Sequence, residues 1–277
     1  IRLVGSDAGE KVSILGGTLA DLDRSAPAYG RGRYNDFNTF YIQAASSSSG
    51  GSSGSPVVDI KGHVVALNAG SKRTAASSFF LPLERVKRAL DLIRAGESVT
   101  RGTVHATFVH RTFDEAKRLG LSDRAEQQMR AGGTGVLVVE RTMTAGAADG
   151  LLEPGDIVTR VGDSTILDFV SLESIVDERV GESIVFDVER GGQPLSIEVP
   201  VADLHASSPS EYIEFGNGVV HPFSYQLARH YSLPAEGMYV SQSGYILGTE
   251  VPAGLVITTV NGVPVPTLDA FEQALSS

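Results

Sequence analysis

The chain has 277 residues, a formal net charge of -10 and no Cys. Its acidic excess argues against a general nucleic-acid surface, which needs clustered Lys and Arg, and the absence of Cys excludes disulfides, zinc–thiolate sites and a thiol nucleophile. Because a domain takes ~100–200 residues, the length predicts two or three domains, and no apolar run approaches the ~18–20 residues of a membrane span.

Residues 1–96 are predicted to form one β-rich domain that ends in a helix. Short apolar runs separated by Gly, Ser and Asp are typical of antiparallel strands, and 57–60 with 64–67 reads as the clearest hairpin. Pro82 is suited to the first turn of a helix, apolar residues follow it at helical spacing, and Gly96 ends the pattern. The sequence therefore predicts that a helix closes this domain.

An internal similarity divides the remaining chain into two modules. In each, a short amphipathic helix is followed by a strand that starts at Gly, and then by a turn that leads into another strand. The sequence predicts two small α+β modules in series, at 100–202 and 208–277, of which the second stops before a closing hairpin. The matching segments are 113–121 and 223–233, 135–139 and 237–241, and 155–161 and 254–260.

Residues 46–55 consist of seven Ser and three Gly, and Pro56 follows them. Composition alone permits a flexible linker. The run lies, however, between predicted strands 40–43 and 57–60 of one β-rich domain, where a linker has no domains to join. A Gly-Ser turn at this place can direct consecutive backbone N–H groups into one concavity, because Gly accepts positive φ. An oxyanion hole needs that geometry beside a nucleophilic hydroxyl, so the run also fits a catalytic loop.

Four segments resemble the HtrA/Deg family of serine proteases. The run from Gly51 to Val57 is similar to the family's Gly-Asn-Ser-Gly-Gly-Pro-Leu/Val nucleophile loop. The segments 41–43, 67–70 and 80–83 stand where the family has a Phe-Ile-Gln strand, a substrate-binding strand and a Phe-Ala-Ile-Pro segment. The resemblance covers essentially the whole chain, and the serine run with Ser55 is most similar to fungal nuclear members.

The resemblance implies a mainly β fold with α+β modules. This fold is the C-terminal half of a trypsin-like double β-barrel followed by two PDZ-like domains in circularly permuted form. The run from Gly150 to Val158, Gly-Leu-Leu-x-Pro-Gly-Asp-Ile-Val, carries the PDZ-like signature in the first module. The second module has Ala253-Gly254-Leu255 where that signature expects Pro-Gly-Asp.

The resemblance also implies the roles of individual residues. Ser53 becomes the acylating nucleophile, and the backbone N–H groups of Gly51 and Ser53 hold the developing oxyanion. Ser52 replaces the family's Asn and contributes mainly backbone. The substrate main chain adds as a strand to four residues, Leu67, Asn68, Ala69 and Gly70. The resemblance further implies polypeptide substrates, a homotrimer, no cofactor and no metal. It also implies a nuclear and cytoplasmic location, with mitochondria or periplasm as the alternative.

The catalytic base decides whether this chain is active by itself. Trypsin-like proteins have their triad in the order His, Asp, Ser, and all six His of this chain follow Ser53. Ile1 to Ser6 hold neither an initiator Met nor a leader-like pattern. We therefore expect the first barrel, with both catalytic partners, to lie outside this chain, and the chain alone to be inactive. His63 falls in the predicted hairpin turn, which favours a solvated ring over a catalytic one.

The same residues also match a sequence motif of a different hydrolase fold. Gly50 to Gly54 satisfies the Gly-x-Ser-x-Gly nucleophile elbow, whose base follows the serine in the chain. That elbow requires a helix directly after the serine. The residues after Pro56 form a β-branched strand pattern instead, so the trypsin-like interpretation is favoured.

The PDZ-like modules suggest peptide binding. Such domains take a peptide C-terminus as an added strand and hold its carboxylate in a tight loop. In the first module this loop is predicted at four residues, Val104, His105, Ala106 and Thr107, with Ala106 in place of the usual Gly. The alternative is a module that only packs against the protease or a neighbouring subunit. Two functions therefore stay open: an HtrA-like serine endopeptidase, and a non-catalytic, chaperone-like peptide-binding scaffold.

Overall fold

A computed structural model describes residues 1–6, 11–26, 36–46, 51–72, 77–248 and 252–276. The described residues fall into two compact units. The first consists of those up to Val99 together with Phe169–Ser174, and the second contains the rest from Thr100 onwards.

The first unit is built on one seven-stranded antiparallel sheet. Its strands lie in the order β2-β1-β5-β6-β7-β4-β3. β2 and β3 stand at the two ends of this order, yet only Gly17 separates them in the chain, so the sheet curves until its two edge strands meet at Gly17. A core of buried apolar residues fills the interior: Leu3, Ala44, Val57, Ala66 and Phe80. The strands are β1 Arg2–Ser6, β2 Val12–Gly16, β3 Thr18–Ser25, β4 Phe40–Ala45, β5 Pro56–Val58, β6 Val64–Lys72 and β7 Ser77–Pro82.

The predicted closing helix is confirmed as α1, Leu83–Ala95. Pro82 precedes its first residue with an extended backbone, which sets the direction of entry into the helix. Gly96 ends the helix with φ 75, in the left-handed conformation that Gly adopts without strain. The N–H of Gly96 donates to the Ile93 carbonyl and thereby satisfies one of the last free acceptors of α1.

The first module of the second unit has a sheet in the order β14-β13-β11-β10-β9. The helix α2 begins with a capping box, in which Thr112 and Glu115 exchange side-chain and backbone hydrogen bonds. The repeat did not predict α3, which follows α2 directly. The elements, of which α4 belongs to the first unit up to Ser174, are β8 Gly102–Thr103, β9 Ala106–Thr112, α2 Phe113–Leu119, α3 Asp123–Met129, β10 Gly135–Thr142, β11 Ile157–Val161, β12 Ser164–Thr165, α4 Phe169–Glu178, β13 Ser183–Arg190, β14 Gln193–Pro200 and β15 Ala202–Asp203.

The second module has a sheet in the order β16-β17-β18-β19. β17, α5 and β18 follow one another in the chain as β9, α2 and β10 do, and Ser224 caps α5 as Thr112 caps α2. The sequence patterns did not predict β16. The elements are β16 Ile213–Phe215, β17 Gly218–Pro222, α5 Tyr225–Tyr231, β18 Met238–Gln242, β19 Val256–Ile257, β20 Thr259–Val260, β21 Val263–Pro264 and α6 Leu268–Ser276.

Candidate active site

Ser53 lies on a tight turn that leads into β5. Gly51 has φ 99 and Gly54 has φ 80, and these left-handed conformations explain why Gly stands on both sides of the two serines. Ser52 is buried, with 1% of its surface exposed, whereas Ser53 is exposed. The turn therefore presents the Ser53 hydroxyl to solvent while its neighbour anchors the backbone.

Asn68 on β6 holds the turn on both sides of Ser53. Its carbonyl accepts from the Gly54 N–H at 2.7 Å, and its own N–H donates to the Ser55 carbonyl at 2.9 Å. Its side-chain Nδ2 donates to the Ser52 carbonyl at 2.9 Å. Asn68 is 2% exposed, so these hydrogen bonds form away from water and are costly to break. Sequence reasoning placed Asn68 in the substrate strand and missed this positioning contact.

The two predicted oxyanion donors are the backbone N–H groups of Gly51 and Ser53. Within the described part of the chain, neither group donates to a protein acceptor. The Ser52 carbonyl between them accepts from the Ser55 N–H at 3.1 Å, which curls the turn. Both donors are therefore free to bind an external oxygen.

The predicted substrate strand, Leu67 to Gly70, lies in the middle of β6. Leu67 stands opposite Pro56 of β5 and Leu81 of β7, and the main chain of Asn68 is bonded to the nucleophile turn. Ala69 is the extra residue of a β-bulge, because Asn68 and Gly70 pair with consecutive residues of β7. Among the described residues, β6 therefore has no strand partner on its β5 side beyond Asn68.

His63 belongs to the turn between β5 and β6. Its Nδ1 lies 3.4 Å from Asp59 Oδ2, and 72% of its side chain is exposed. The N–H groups of His63 and Lys61 also donate to the Asp59 carboxylate, and these hydrogen bonds lower the pKa of Asp59. In the described residues, the Ser53 hydroxyl makes no hydrogen bond to a histidine. The predicted role of His63 as a solvated turn residue agrees with these contacts.

Ser55 packs against Gly5 of β1. A Cβ on residue 5 would lie 2.5 Å from Ser55 Oγ. We expect Gly5→Ala to destabilise the chain by about 1–3 kcal/mol because it overpacks this contact, and Ser55→Gly to recover most of the loss in the double variant. Urea denaturation of the four proteins measures the coupling. Gly16→Ala, where the new methyl meets no atom within 4 Å, is the matched control, and an equal effect at both sites would contradict the prediction.

The predicted peptide loop, Val104 to Thr107, leads from β8 into β9. The His105 N–H donates to Thr103 Oγ1 at 3.0 Å, and the His105 carbonyl accepts from the Met143 N–H at 2.9 Å. The Val104 carbonyl accepts from the Ala148 N–H at 2.9 Å. Much of the loop backbone is thus bonded within the module.

His105 has φ 55, so the left-handed position of the loop is at His105 and not at Ala106. The His105 Nδ1 accepts from the Ala147 N–H at 3.2 Å, and its Nε2 lies 3.4 Å from Ser207 Oγ. The ring meets the Tyr225 ring edge-on, with centroids 4.8 Å apart. The side chain therefore packs against the segment that leads into the second module.

Burial lowers the pKa of His105. The folded chain then binds the proton less readily than the unfolded chain. The buried neutral ring therefore makes its full contribution to the unfolding free energy above about pH 6.5, and this contribution is lost as the pH falls below that value. We expect the unfolding free energy to decrease less between pH 7.5 and 5 for His105→Asn than for the unchanged chain. His63→Asn, at an exposed ring, is the control. Identical pH slopes for the unchanged chain and His105→Asn would refute the prediction.

None of the helices among the described residues is long and apolar enough to cross a membrane. No group of three or more His, Asp and Glu among the same residues is arranged to hold a metal ion.

A curved antiparallel sheet with an exposed serine on a glycine-flanked turn, followed by two α+β modules, defines the class: a trypsin-like peptidase domain joined to PDZ-like domains. The trypsin-like peptidase domain family matches residues 1–67. The PDZ-like domain family matches residues 206–277.

The relatives identify the family. Over its whole length, the chain is 47% identical to "Protease Do-like 7" of Arabidopsis thaliana and 43% identical to "Pro-apoptotic serine protease NMA111" of Eremothecium gossypii. It covers 26% and 29% of these two proteins. A structure of the HtrA-type protease AlgW with tripeptide matches 73% of this chain and 64% of that chain, with 22% identity and a TM-score of 0.49. The chain belongs to the HtrA/Deg family of serine proteases with trypsin-like and PDZ domains, and spans about a quarter of the length of its curated relatives.

Proposed function

We propose that the protein is a serine endopeptidase in which Ser53 forms the acyl-enzyme. The observation that carries the proposal is the exposed Ser53 on a turn whose two sides are bonded to Asn68. Ser53 Oγ attacks the peptide carbonyl, and the N–H groups of Gly51 and Ser53 bind the developing oxyanion. The C–N bond then breaks, the amine leaves with the proton that came from Ser53, and water hydrolyses the ester.

The proton transfer needs a base outside this chain. All six His follow Ser53, and the described contacts hold His63 at Asp59 and His105 in the second unit. The relatives are about four times longer than this chain, which leaves room for a barrel that supplies His and Asp. We therefore propose that the chain alone does not hydrolyse peptides.

The substrate is an extended polypeptide that pairs with β6 beyond Asn68, at Ala69 and Gly70. Asn68 and Leu67 position that segment rather than bind the substrate main chain, because the Asn68 main chain is bonded to the turn.

We also propose module boundaries at 1–96, 100–202 and 208–277 and a homotrimer. A nuclear and cytoplasmic location is proposed from the similarity to proteins named pro-apoptotic serine proteases.

A fluorophosphonate probe tests the proposal, because it labels only activated serines. We expect slow labelling of this chain and labelling at least 100-fold faster in a longer form that includes the residues preceding Ile1. Ser53→Ala abolishes labelling in both forms, and Ser164→Ala, at an exposed serine of β12, changes nothing. Equal rates in the two forms would disprove the need for an outside base. No labelling of the longer form would disprove the peptidase.

A non-catalytic peptide-binding scaffold is the second candidate. It is favoured by one observation, that no described histidine is bonded to the Ser53 hydroxyl. In this function, peptides bind at the loop of Val104, His105, Ala106 and Thr107 or along β6. Titration with an unfolded polypeptide and with C-terminal peptides separates the candidates. The scaffold predicts saturable binding that Ser53→Ala leaves unchanged, together with no labelling of the longer form.

A further inference from the structure

The second module carries a strand at the edge of its sheet that sequence reasoning missed. β16 pairs antiparallel with β17, with Ile213 opposite Val220, Glu214 opposite Val219 and Phe215 opposite Gly218. β17 is the strand that leads into the capped helix α5, as β9 leads into α2. In the first module, the described sheet order ends at β9, whereas in the second it continues past β17 to β16.

The side chains of β16 alternate between the core and solvent. Ile213 and Phe215 pack against the core cluster of the second module, while Glu214 is exposed. The Phe215 ring lies 5.9 Å from the Phe271 ring of α6, at an interplanar angle of 60°. A peptide that binds by strand addition has the same arrangement, since its main chain extends the sheet and its alternate side chains enter pockets. The cluster contains Val220, Met238, Val240, Val265 and Phe271.

The end of β16 is closed by a covalent turn. Gly216 and Asn217 have φ 50 and 57, as a two-residue type I′ hairpin requires. The Gly216 carbonyl accepts from the Tyr245 N–H at 3.0 Å, and the Asn217 carbonyl accepts from Gln242 Nε2 at 2.8 Å. A peptide antiparallel to β17 would place its C-terminal carboxylate beside the start of β17. The turn occupies that place.

We propose that β16 is the resident ligand of the second module: the groove between β17 and α6 is a strand-addition site, and the chain's own Ile213–Phe215 fills it. An external peptide binds there only after β16 leaves. The proposal does not depend on the peptidase function, because it concerns only the residues of the second module.

The methyl resonances of the three methionines report on peptide binding. Met238 lies in the core cluster against which Ile213 and Phe215 pack, whereas Met129 and Met143 lie in the first module. The probe is the hexapeptide Ser-Glu-Tyr-Ile-Glu-Phe, which copies residues 210–215 and ends in a free carboxylate. In the unchanged chain we expect no saturable shift of the Met238 methyl resonance. In Ile213→Ser/Phe215→Ser, which removes both anchors of β16, we expect saturable binding with an affinity at least tenfold above the detection limit set by the unchanged chain. Tyr212→Ser/Glu214→Ser, which keeps both anchors, behaves as the unchanged chain.

Two results would overturn the proposal in this titration. One is a saturable Met238 shift of equal affinity in the unchanged chain. The other is an absent response in Ile213→Ser/Phe215→Ser while the Met238 resonance itself shows a folded module. The control peptide Ser-Glu-Tyr-Ser-Glu-Ser, without the anchors, is expected to bind to neither protein.

A cross-link tests the same contact without emptying the core. Glu214 and Val219 are the non-hydrogen-bonded pair of the hairpin, with an expected Cα separation of about 4.5 Å, which suits a disulfide. In this Cys-free chain, Glu214→Cys/Val219→Cys forms one defined bond. We expect rapid, complete oxidation within the monomer, an unchanged Met238 resonance and a higher Tm. Failure to oxidise, or a Met238 resonance that moves on oxidation, would show that β16 does not occupy the groove.

Discussion

Asn68→Asp is expected to lower the unfolding free energy by about 3–5 kcal/mol at pH 7, the range for an uncompensated buried charge. The substitution keeps the shape of the side chain but replaces the Nδ2 donor by an acceptor that faces the Ser52 carbonyl. Asn68 is 2% exposed, and its Oδ1 has no hydrogen-bond partner among the described residues, so no donor compensates the new charge. Urea denaturation at pH 7 measures the loss.

The pH dependence and a matched variant make this prediction specific. A buried carboxyl without donors has a raised pKa, so the penalty is present at neutral pH and shrinks as the pH falls towards the unfolded value of about 3.9. Asn261→Asp makes the same chemical change in an exposed turn and should alter stability by less than about 0.5 kcal/mol. Equal losses at the two positions would mean that Asn68 does not anchor the turn. Probe labelling of Ser53 in the longer form should fall with Asn68→Asp, because the same bond positions the nucleophile.

Arg190→Ala is expected to destabilise the first module by about 3 kcal/mol, the lower end for a broken buried ion pair. The Asp156 carboxylate is 0% exposed and accepts from Arg190 Nε and Nη2 at 2.7 and 2.8 Å. Removing the guanidinium leaves this carboxylate with one described donor, the Glu153 N–H at 2.8 Å. The Arg190 side chain is 30% exposed, so water enters and limits the loss.

Two comparisons check the Arg190 prediction. Arg179→Ala removes an ion pair with Glu182 in which both side chains are more than half exposed, and it should cost less than about 1 kcal/mol. Asp156→Leu/Arg190→Leu removes both charges and should be more stable than Arg190→Ala, because no buried charge is left alone. Thermal unfolding followed at the Met129 and Met143 methyl groups reports on this module. An Arg190→Ala loss no greater than that of Arg179→Ala would contradict the prediction.

The turn that carries Pro-Gly-Asp in the first module has a structural counterpart in the second module. Gly155 and Gly254 both have φ 98, and their N–H groups donate to Val139 and Val240 carbonyls, each at 2.8 Å. The turn geometry is therefore the same with Asp156 or with Leu255 after the Gly. In the first module, the Asp at this position pairs with Arg190 at the end of β13.

Local patterns were sufficient to predict most elements of the fold. Helix α1 followed from Pro82, the apolar spacing and Gly96, and the β5–β6 hairpin followed from its strand pattern and turn residues. The resemblance located Ser53 on the turn between β4 and β5. These features depend on the conformational preferences of neighbouring residues, which a single sequence records directly.

What the sequence could not supply were contacts between residues far apart in the chain. The role of Asn68 depends on a hydrogen bond to Ser52, 16 residues earlier. The His105 ring likewise accepts a hydrogen bond from the Ala147 N–H and meets the Tyr225 ring, both of which lie more than 40 residues away in the chain. β16 was missed because three residues are too few for a periodic pattern, and its place depends on the groove that Phe271 of α6 completes. The amino-acid sequence by itself predicted the class of protein, helix α1 and the loop of the candidate nucleophile Ser53, because these follow from local backbone preferences and a motif. Only the tertiary structure decided which residue anchors the nucleophile turn and which strand fills the second groove, because burial and long-range hydrogen bonds exist only in the folded chain.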